Sequence, residues 1–214
     1  FTAVPLLIVD DGRLGGGARS FYPHALPQIA QKTGTIPMFI RQTFEDASEQ
    51  RGEMDGWRQD YRQLGAGRYE SVFCLKTFAG VTISRERINV AVMQQTQSPA
   101  GTSIFIFPLA AEGGWRINSH HEQDSVIALR QGDTELITAV GAESDLIAVA
   151  FDPETLPPPS RRAGTFSFPR RIGDAMLVDW IDSLLAISAQ GYSVSDVDSR
   201  LLGELIAERF MDFG

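Results

Sequence analysis

The chain has 214 residues, of which 43% are hydrophobic and 21% charged, and its formal net charge is −8. A chain of this length and apolar content can build one ordinary domain with a sizeable core, which argues against an intrinsically disordered protein. The acidic balance argues against direct nucleic-acid binding by this chain, because binding to phosphates normally uses a basic face. Every apolar run is shorter than the roughly 18 residues of a membrane span, so we expect no membrane partner.

Residues 1–43 form an N-terminal extension to which the sequence assigns no role. Its opening, FTAVPLLIVDDG, contains a short apolar patch, but no basic residue precedes it and Asp10 and Asp11 follow it, so we do not interpret it as a signal peptide. The later GRLGGGARS is glycine-rich but lacks the Gly-Lys-Ser/Thr ending of a phosphate-binding loop. The single cysteine, Cys74, excludes an intramolecular disulfide and favours a reducing, cytoplasmic location.

The central part of the chain, residues 44–152, has the pattern of a β domain. Its charged first part, 44–64, predicts a short acidic helix or turn and then an entry strand. Short segments rich in Val, Ile, Thr and Phe follow, separated by Gly and Asp, and this spacing predicts a sandwich or barrel. The segments are RYESVFCLKTF, VTISRERINVAVMQQ, SIFIFPLA, WRINSH, SVIALR, TELITAV and LIAVAFD.

Alternation along two of these segments predicts which residues share a face. One face of VTISRERIN carries Val81, Ile83, Arg85 and Arg87. One face of SIFIFPL carries Phe105, Phe107 and Leu109, and the other carries Ile104 and Ile106. Because the second segment is apolar on both faces, we expect it to be central or covered on both sides.

The last third of the chain predicts a linker and then a helical hairpin. We assign residues 153–172 to a linker, because three consecutive prolines exclude a helix or a central strand. Within 173–214, two apolar stripes at helical spacing predict two helices that pack on the barrel or form a dimer interface, and Ser195 with Asp198 resembles a capping box. The predicted packing residues are Leu177, Trp180, Ile181, Leu184, Leu201 and Leu205.

The three histidines argue against a metal centre. A small barrel invites comparison with metal-binding cupins, whose histidines lie two apart on one strand face, with a glutamate and a later histidine. Here His120 and His121 are adjacent and would point to opposite faces, while His24 lies far away and no histidine follows. We therefore predict no metal and no cofactor.

The sequence also predicts no catalytic residues. It contains no G-x-S-x-G nucleophile motif, and none of the three histidines has a placed Ser or Asp partner. The carboxylate pairs Glu45/Asp46 and Glu143/Asp145 lie in loop-like stretches, where solvated charge is the simpler interpretation.

Aromatic residues on or beside the strands allow two interpretations. They can be ordinary core, or they can line an apolar ligand pocket in which a few polar groups fix the orientation of the ligand. An inward-facing Arg85 or Arg87 would be such a polar group, whereas an outward-facing one would be surface charge. The candidate pocket residues are Phe73, Arg85, Phe105, Phe107 and Trp115.

The stretch GWRQDYRQLGAGRYESVF also has two interpretations, a basic patch or the entry to the barrel. The acidic total charge favours the second. In that interpretation Gly65 and Gly67 form a turn, and the arginines are surface charge. The expected packing residues are Trp57, Tyr61 and Leu64, and the surface arginines are Arg58, Arg62 and Arg68.

The same stretch, with FEDASEQ before it, resembles the start of the sensor domain of AraC-type bacterial transcription regulators, in particular the group similar to the ethanolamine-utilisation regulator. The matching positions are Phe44, Asp46, Glu49, Gln50, Trp57, Tyr61, Gln63, Leu64, Gly67 and Tyr69. Two later stretches are also similar, Leu129, Gly132, Asp133, Glu135 and Leu136, and then Asp145 to Asp152. The resemblance covers roughly residues 44 to 152 and extends more weakly into the tail helices.

This resemblance implies a non-enzymatic, cupin-like (jelly-roll) sensor barrel that binds an unknown small-molecule effector and forms a homodimer through its terminal helices. DNA would be contacted only by a C-terminal helix-turn-helix domain, whose motifs do not follow the tail helices in these 214 residues. Two alternatives stay open. One is a cupin-fold enzyme, such as a metal-dependent isomerase or dioxygenase, and the other is an interaction module whose barrel is filled with side chains.

Overall fold

A computed structural model of the chain describes residues 39–54, 57–118, 120–122, 125–130, 135–156, 164–169, 172–190 and 195–211. Most of the predicted N-terminal extension, including His24, lies outside the described residues. The sheet already begins at Phe39, five residues before the predicted start of the β domain.

The described chain is mainly β and ends in two helices, as predicted from the sequence. A short 3-10 helix, Ala47–Gln50, lies between the first two strands. The strands are β1 Phe39–Phe44, β2 Gly52–Met54, β3 Trp57–Gln63, β4 Ser71–Phe78, β5 Val81–Ile88, β6 Val92–Gln97, β7 Ser103–Ile117, β8 His120–Glu122, β9 Ser125–Arg130, β10 Glu135–Phe151 and β11 Gly164–Pro169. The helices are α1 Ile172–Ala189 and α2 Asp196–Met211, and residues 191–194 between them lie outside the described part.

The strands form one curled antiparallel sheet, a half-barrel, organised around β10. The order along the main path is β1-β4-β5-β10-β6-β3-β2. The first part of β10 pairs with β6, its second part pairs with β5, and β7 pairs along most of its length. Beyond β7 lie β8 and β9, and β11 pairs with β9.

The glycine-containing breaks that we expected to separate SIFIFPLA from WRINSH and TELITAV from LIAVAFD are instead irregularities inside long strands. AEGG lies within β7 and GAESD lies within β10. Gly113 and Gly114 have φ of +84° and +79°, and the register between β7 and β10 shifts repeatedly after Val140. At Gly141 the backbones come so close that a Cβ would lie 1.5 Å from the carbonyl oxygen of Glu112. These glycines therefore bend the two strands without ending them.

Two other boundaries differ from the sequence prediction. VTISRERINVAVMQQ, predicted as one strand, is interrupted by a bend at 89–91, and the resulting strands β5 and β6 follow one another along the same edge of β10 in one register. The predicted linker at 153–172 contains β11, which pairs in register with β9. The alternation of Thr165, Phe166, Ser167 and Phe168 is typical of a strand, and the prolines at 157–159 lie before it, so they do not prevent its pairing.

One face of the half-barrel packs against both helices. Phe210 of α2 lies at the centre of this core, with its ring centroid 4.7 Å from that of Phe105 and 5.0 Å from that of Phe151. The sheet contributes Phe78, Val81, Ile83, Phe105, Phe107, Ile147, Val149 and Phe151, and the helices contribute Ile181, Leu185, Ile206, Ala207 and Phe210. We expected β7 to be central or covered on both sides. This expectation is confirmed for its phenylalanine face, over which the helices lie.

The predicted packing residues of α1 lie against the sheet, whereas two of those of α2 do not. Ile181 is fully buried, and Leu177, Trp180 and Leu184 are partly buried against the same core. Leu201 and Leu205 are 54% and 43% exposed, so they do not pack against the sheet, and their alternative assignment to a dimer interface stays a prediction. The face of α2 that meets the sheet is offset from them and carries Ser199, Leu202, Gly203, Ile206, Ala207 and Phe210.

The start of α2 and its contact with the sheet depend on small polar and glycine residues. The Ser195 hydroxyl accepts a hydrogen bond from the Asp198 backbone N–H at 3.2 Å and donates to the Asp198 carboxylate at 2.6 Å, which confirms the predicted cap. One turn later, the Ser199 hydroxyl accepts a bond of 3.1 Å from the backbone N–H of Ala79, in the β4–β5 turn. A Cβ at Gly203 would lie 2.5 Å from the carbonyl oxygen of Ala79.

We expect Gly203→Ala to destabilise the protein by about 1–3 kcal/mol, because the added methyl group must push α2 away from the β4–β5 turn. The sign of this change in stability is informative, because a Gly→Ala substitution at an open position inside a helix stabilises a protein by roughly 0.5–1 kcal/mol. Chemical denaturation of both proteins measures the difference. Glu204→Ala, at the adjacent exposed position, is the matched control. A gain of stability in Gly203→Ala would show that α2 does not approach the turn so closely.

Candidate functional site: a cavity with one buried carboxyl

The half-barrel encloses a cavity of about 90 Å³ on the face that points away from the helices. A cavity needs only about 10–15 Å³ of such space to hold one water molecule, so this one has room for a small organic ligand. The lining residues are Trp57, Gln59, Tyr61, Phe73, Leu75, Thr82, Ser84, Glu86, Gln94, Thr96, Ile104, Ile106, Trp115, Ile117, Leu136, Thr138, Leu146, Ala148 and Ala150.

The cavity has an apolar wall and an end closed by aromatic residues. The wall is a cluster of aliphatic side chains from β7 and β10, against which Trp57 and Ala148 pack. A second cluster, which contains Tyr61, Trp115 and the partly buried Leu146, closes one end. The buried lining residues of the wall are Ile104, Ile106, Ile117, Leu136 and Ala150.

The polar centre of the site is Glu86 of β5, whose side chain is buried with only 3% of the residue exposed. In the sheet it lies between Phe73 of β4 and Leu146 of β10. Its Oε1 accepts a hydrogen bond of 2.8 Å from Gln50 Nε2 and another of 2.8 Å from the Tyr61 hydroxyl. The described lining residues include no Lys, Arg or His.

A second layer of hydrogen bonds holds the two donors in place. The Tyr61 hydroxyl accepts a bond of 2.6 Å from Gln94 Nε2, which leaves its own proton directed at Glu86. The Tyr69 hydroxyl donates to Gln50 Oε1, so the amide group of Gln50 is oriented with its NH2 towards Glu86. Because each donor is itself bonded, the network fixes the direction of the carboxyl group.

Burial changes the acid–base behaviour of this network. Removal from water raises the pKa of Glu86 above its ordinary value, although the bonds from Tyr61 and Gln50 act in the opposite direction. Burial also raises the pKa of Tyr61 well above its usual range, and the neighbouring carboxyl adds to that effect. Tyr61 therefore stays a neutral donor, while Glu86 keeps its proton to a higher pH than an exposed glutamate does.

Of the five residues predicted to form a pocket, the structure brings two together at the cavity, Phe73 and Trp115. Phe105 and Phe107 lie on the opposite face of β7, in the core beneath the helices, so their assignment to the pocket needs correction. The alternation of side chains along β7 was predicted correctly. The aromatic face was then taken for the ligand face, whereas Ile104 and Ile106 line the cavity.

Arg85 also lies on the helix side of the sheet and does not reach the cavity. Its guanidinium donates to both carboxylate oxygens of Asp145 on β10, at 2.9 and 2.8 Å, and to Asp182 of α1. Arg87 adds a bond of 3.1 Å to Asp145. Asp145, expected to be solvated, is therefore part of a half-buried ion pair that fastens α1 to the sheet.

The entry stretch contributes directly to the site. Trp57 and Tyr61 line the cavity, and Gln63 Nε2 holds the following turn with bonds of 2.8 Å to the carbonyls of Gly65 and Gly67. Leu64 is 54% exposed and does not pack as expected, because it stands where the strand ends. The arginines of the stretch, Arg58, Arg62 and Arg68, are exposed, and Arg68 pairs with Glu45 at 2.8 Å.

Sequence reasoning missed the most polar residues of the site, Gln50, Glu86 and Gln94. Gln50 was part of the entry motif but received no role. The signal for Glu86 was present in VTISRERI, since the face opposite Val81 and Ile83 carries Thr82, Ser84 and Glu86. A polar face on a central strand between apolar neighbours indicates an internal polar site rather than a solvated one.

No known protein family, no curated protein and no solved structure matches this chain. Within the described residues, no group of three or more His, Cys, Asp or Glu side chains is placed to hold a metal ion. In the same part of the chain, neither helix has both the length and the apolar character needed to cross a membrane.

We expect Glu86→Gln to change how the stability of the protein depends on pH. Because folding raises the Glu86 pKa above 4.5, the folded state holds an extra proton between that pH and its own pKa. The wild-type free energy of unfolding should therefore be highest below about pH 4.5 and fall as pH rises, by at most about 1.4 kcal/mol per pH unit, relative to Glu86→Gln.

Urea denaturation of both proteins at several pH values measures this difference. Glu154→Gln, at an exposed position, is the matched control and should follow the wild type at every pH. A difference between Glu86→Gln and wild type that stays constant with pH would contradict the placement of Glu86 in a desolvated site.

Proposed function

We propose that this chain is a small-molecule sensor domain that binds its ligand in the cavity of the half-barrel. The observation that carries the proposal is the combination of an apolar wall with one oriented polar group, Glu86. Ligand sites in proteins are typically concave and mostly apolar, with a few placed polar groups that set orientation. A cavity filled with side chains, as in a pure interaction module, would not have 90 Å³ of space.

We further propose that the sensor belongs to an AraC-type transcription regulator with a cupin-like, jelly-roll barrel. The curled antiparallel sheet followed by two helices is compatible with that fold. The residues that carry the resemblance also concentrate at the site, since Trp57 and Tyr61 line the cavity and Gln50 bonds to Glu86. In such a protein DNA is bound by a separate helix-turn-helix domain.

In this proposal, neighbouring residues on β5 and β10 couple ligand binding in the cavity to the position of α1. Glu86 faces the cavity, and the next residue towards the N-terminus, Arg85, holds Asp182 of α1 from the other face of the same strand. On β10, Leu146 lines the cavity while Asp145 pairs with Arg85. A ligand that shifts β5 against β10 therefore changes the position of α1, which is the differential contact that coupling between sites requires.

We also propose that the outer face of α2 forms a homodimer. Val197, Leu201 and Leu205 recur every four residues and form one exposed apolar stripe. Such a stripe on the surface supports contact with a second copy of the helix, as the resemblance implies.

Ligand binding is tested by filling the cavity. Ala148→Leu adds three carbon atoms to the lining, and we expect it to abolish thermal stabilisation by any metabolite that stabilises the wild type, while stability itself stays equal or rises. Thermal-shift measurements over a broad metabolite panel provide the readout. Ala110→Leu, the same change at an exposed position of β7, should leave the response intact. If no compound shifts the wild type, or both variants respond alike, the cavity is not the ligand site.

Self-association is tested with Leu201→Asp combined with Leu205→Asp. Two charges on the stripe should convert the wild-type dimer to a monomer in sedimentation velocity, because burying an unpaired carboxylate is strongly unfavourable. Met176→Asp, at a residue of α1 that is 75% exposed, is the control and should remain dimeric. A wild type that sediments as a monomer at every concentration, or a double variant that remains a dimer, would refute this interface.

A further inference from the structure

The two oxygens of the Glu86 carboxyl have different surroundings. Both protein donors, Gln50 and Tyr61, converge on Oε1. Among the described residues, none donates a hydrogen bond to Oε2. Since Glu86 lines the cavity and its other oxygen is taken by the network, Oε2 is the atom left to meet a ligand.

The charge of the surroundings decides the protonation state of this carboxyl. Its strand neighbours Arg85 and Arg87 lie on the other face and are paired with Asp145. A buried carboxylate with no cation beside it is costly, and taking up a proton removes that cost. Because Oε1 already accepts two hydrogen bonds, the proton is placed on Oε2.

We propose that Glu86 is a protonated carboxylic acid that donates its Oε2–H to the carbonyl oxygen of a small neutral ligand. The hydrocarbon part of the ligand lies along the aliphatic wall formed by Ile104, Ile106 and Leu136. The ligand class is a short aliphatic ketone or primary amide. This inference rests on the proposed ligand-binding function and adds the chemical class of the ligand.

The size of the cavity limits the ligand. An engineered cavity of about 150 Å³ accommodates benzene, which has six heavy atoms. The present cavity, at about 90 Å³, therefore takes a ligand of fewer heavy atoms, about four by the same scaling. Acetone has four heavy atoms, one of which is its carbonyl oxygen, so it is a suitable probe.

The two tyrosines near Glu86 do not change their charge in the pH range in which a glutamate titrates. Tyr61 faces it from β3 and Tyr69 lies on the far side of Gln50, and burial raises the pKa of both tyrosines. Phe73 of β4 and Leu146 of β10, which lie opposite Glu86 in the sheet, carry no ionisable group. Apart from Tyr61 and Glu86 itself, neither do the other described residues that line the cavity.

The test compares wild type, Glu86→Gln and Glu86→Leu with acetone and acetamide as neutral probes and n-propylamine as the cationic one, by ligand-observed NMR titration. We expect wild type to prefer the carbonyl probes over the amine at least tenfold. Glu86→Gln should bind acetone within about threefold of wild type, because its amide N–H replaces the acid O–H. Glu86→Leu should weaken acetone binding at least tenfold.

A pH series provides a second readout that does not depend on Glu86→Leu folding correctly. Wild-type affinity for acetone should fall as pH rises through the pKa of Glu86, whereas that of Glu86→Gln should stay constant. Tighter binding of n-propylamine than of acetone, lost in Glu86→Gln, would overturn the proposal in favour of a carboxylate that binds ammonium.

Xenon separates failure of this inference from failure of the proposed function, because xenon enters apolar cavities without a hydrogen bond. If xenon binds wild type and Glu86→Leu but acetone affinity is equal in both, the cavity binds ligands and Glu86 does not select them. If neither xenon nor any probe binds wild type, the ligand-binding function itself is wrong.

Discussion

The long strand β10 is the constraint on which the rest of this structure depends. It pairs with β6 in its first part, with β5 in its second and with β7 on its other edge. β5 and β6 follow one another along one edge of β10 in a single register, so a strand of 17 residues can pair with both of them. On the other edge, Gly141 lets the backbone approach Glu112 more closely than any side chain would allow, where the register with β7 shifts. β10 thereby holds together β5, β6 and β7, all of which carry residues that line the cavity.

Because side chains alternate along a strand, the same few residues build two different environments on the two faces of the sheet. On β5, the side chain of Glu86 points into the cavity and that of Arg85 points to the opposite face of the sheet. The two side chains have different hydrogen-bond partners. The arginine meets two carboxylates at the helix interface. The glutamate meets neutral donors, Gln50 and Tyr61. The ion pairs of Arg85 thus lie on the helix side of the sheet, away from the cavity.

Features that depend on residues close together in the sequence could be predicted, whereas features that depend on contacts between distant residues could not. Alternation is local, so the faces of β5 and β7 and the capped start of α2 could be derived from sequence. Which face of β7 lines the cavity depends on packing between elements that are distant in the sequence. The prediction that the aromatic face lines it was wrong. Glu86 was missed because its donors lie 36 and 25 residues away in the chain. Glycines in GAESD and AEGG were taken for turns, since only the partner strand shows that they are bends.

The central position of β10 also determines when the cavity can form. The hairpin of β4 and β5 is local in sequence and can assemble early, as can the turn that closes it. By contrast, β5 and β10 join residues such as Val81 and Phe151, which are paired across 70 positions of the chain. Contacts of such long range slow folding, because the loop must close before they form. On a ribosome, β5 therefore cannot complete its pairing with β10 until the end of β10 has emerged, so the cavity forms late in the synthesis of the sheet.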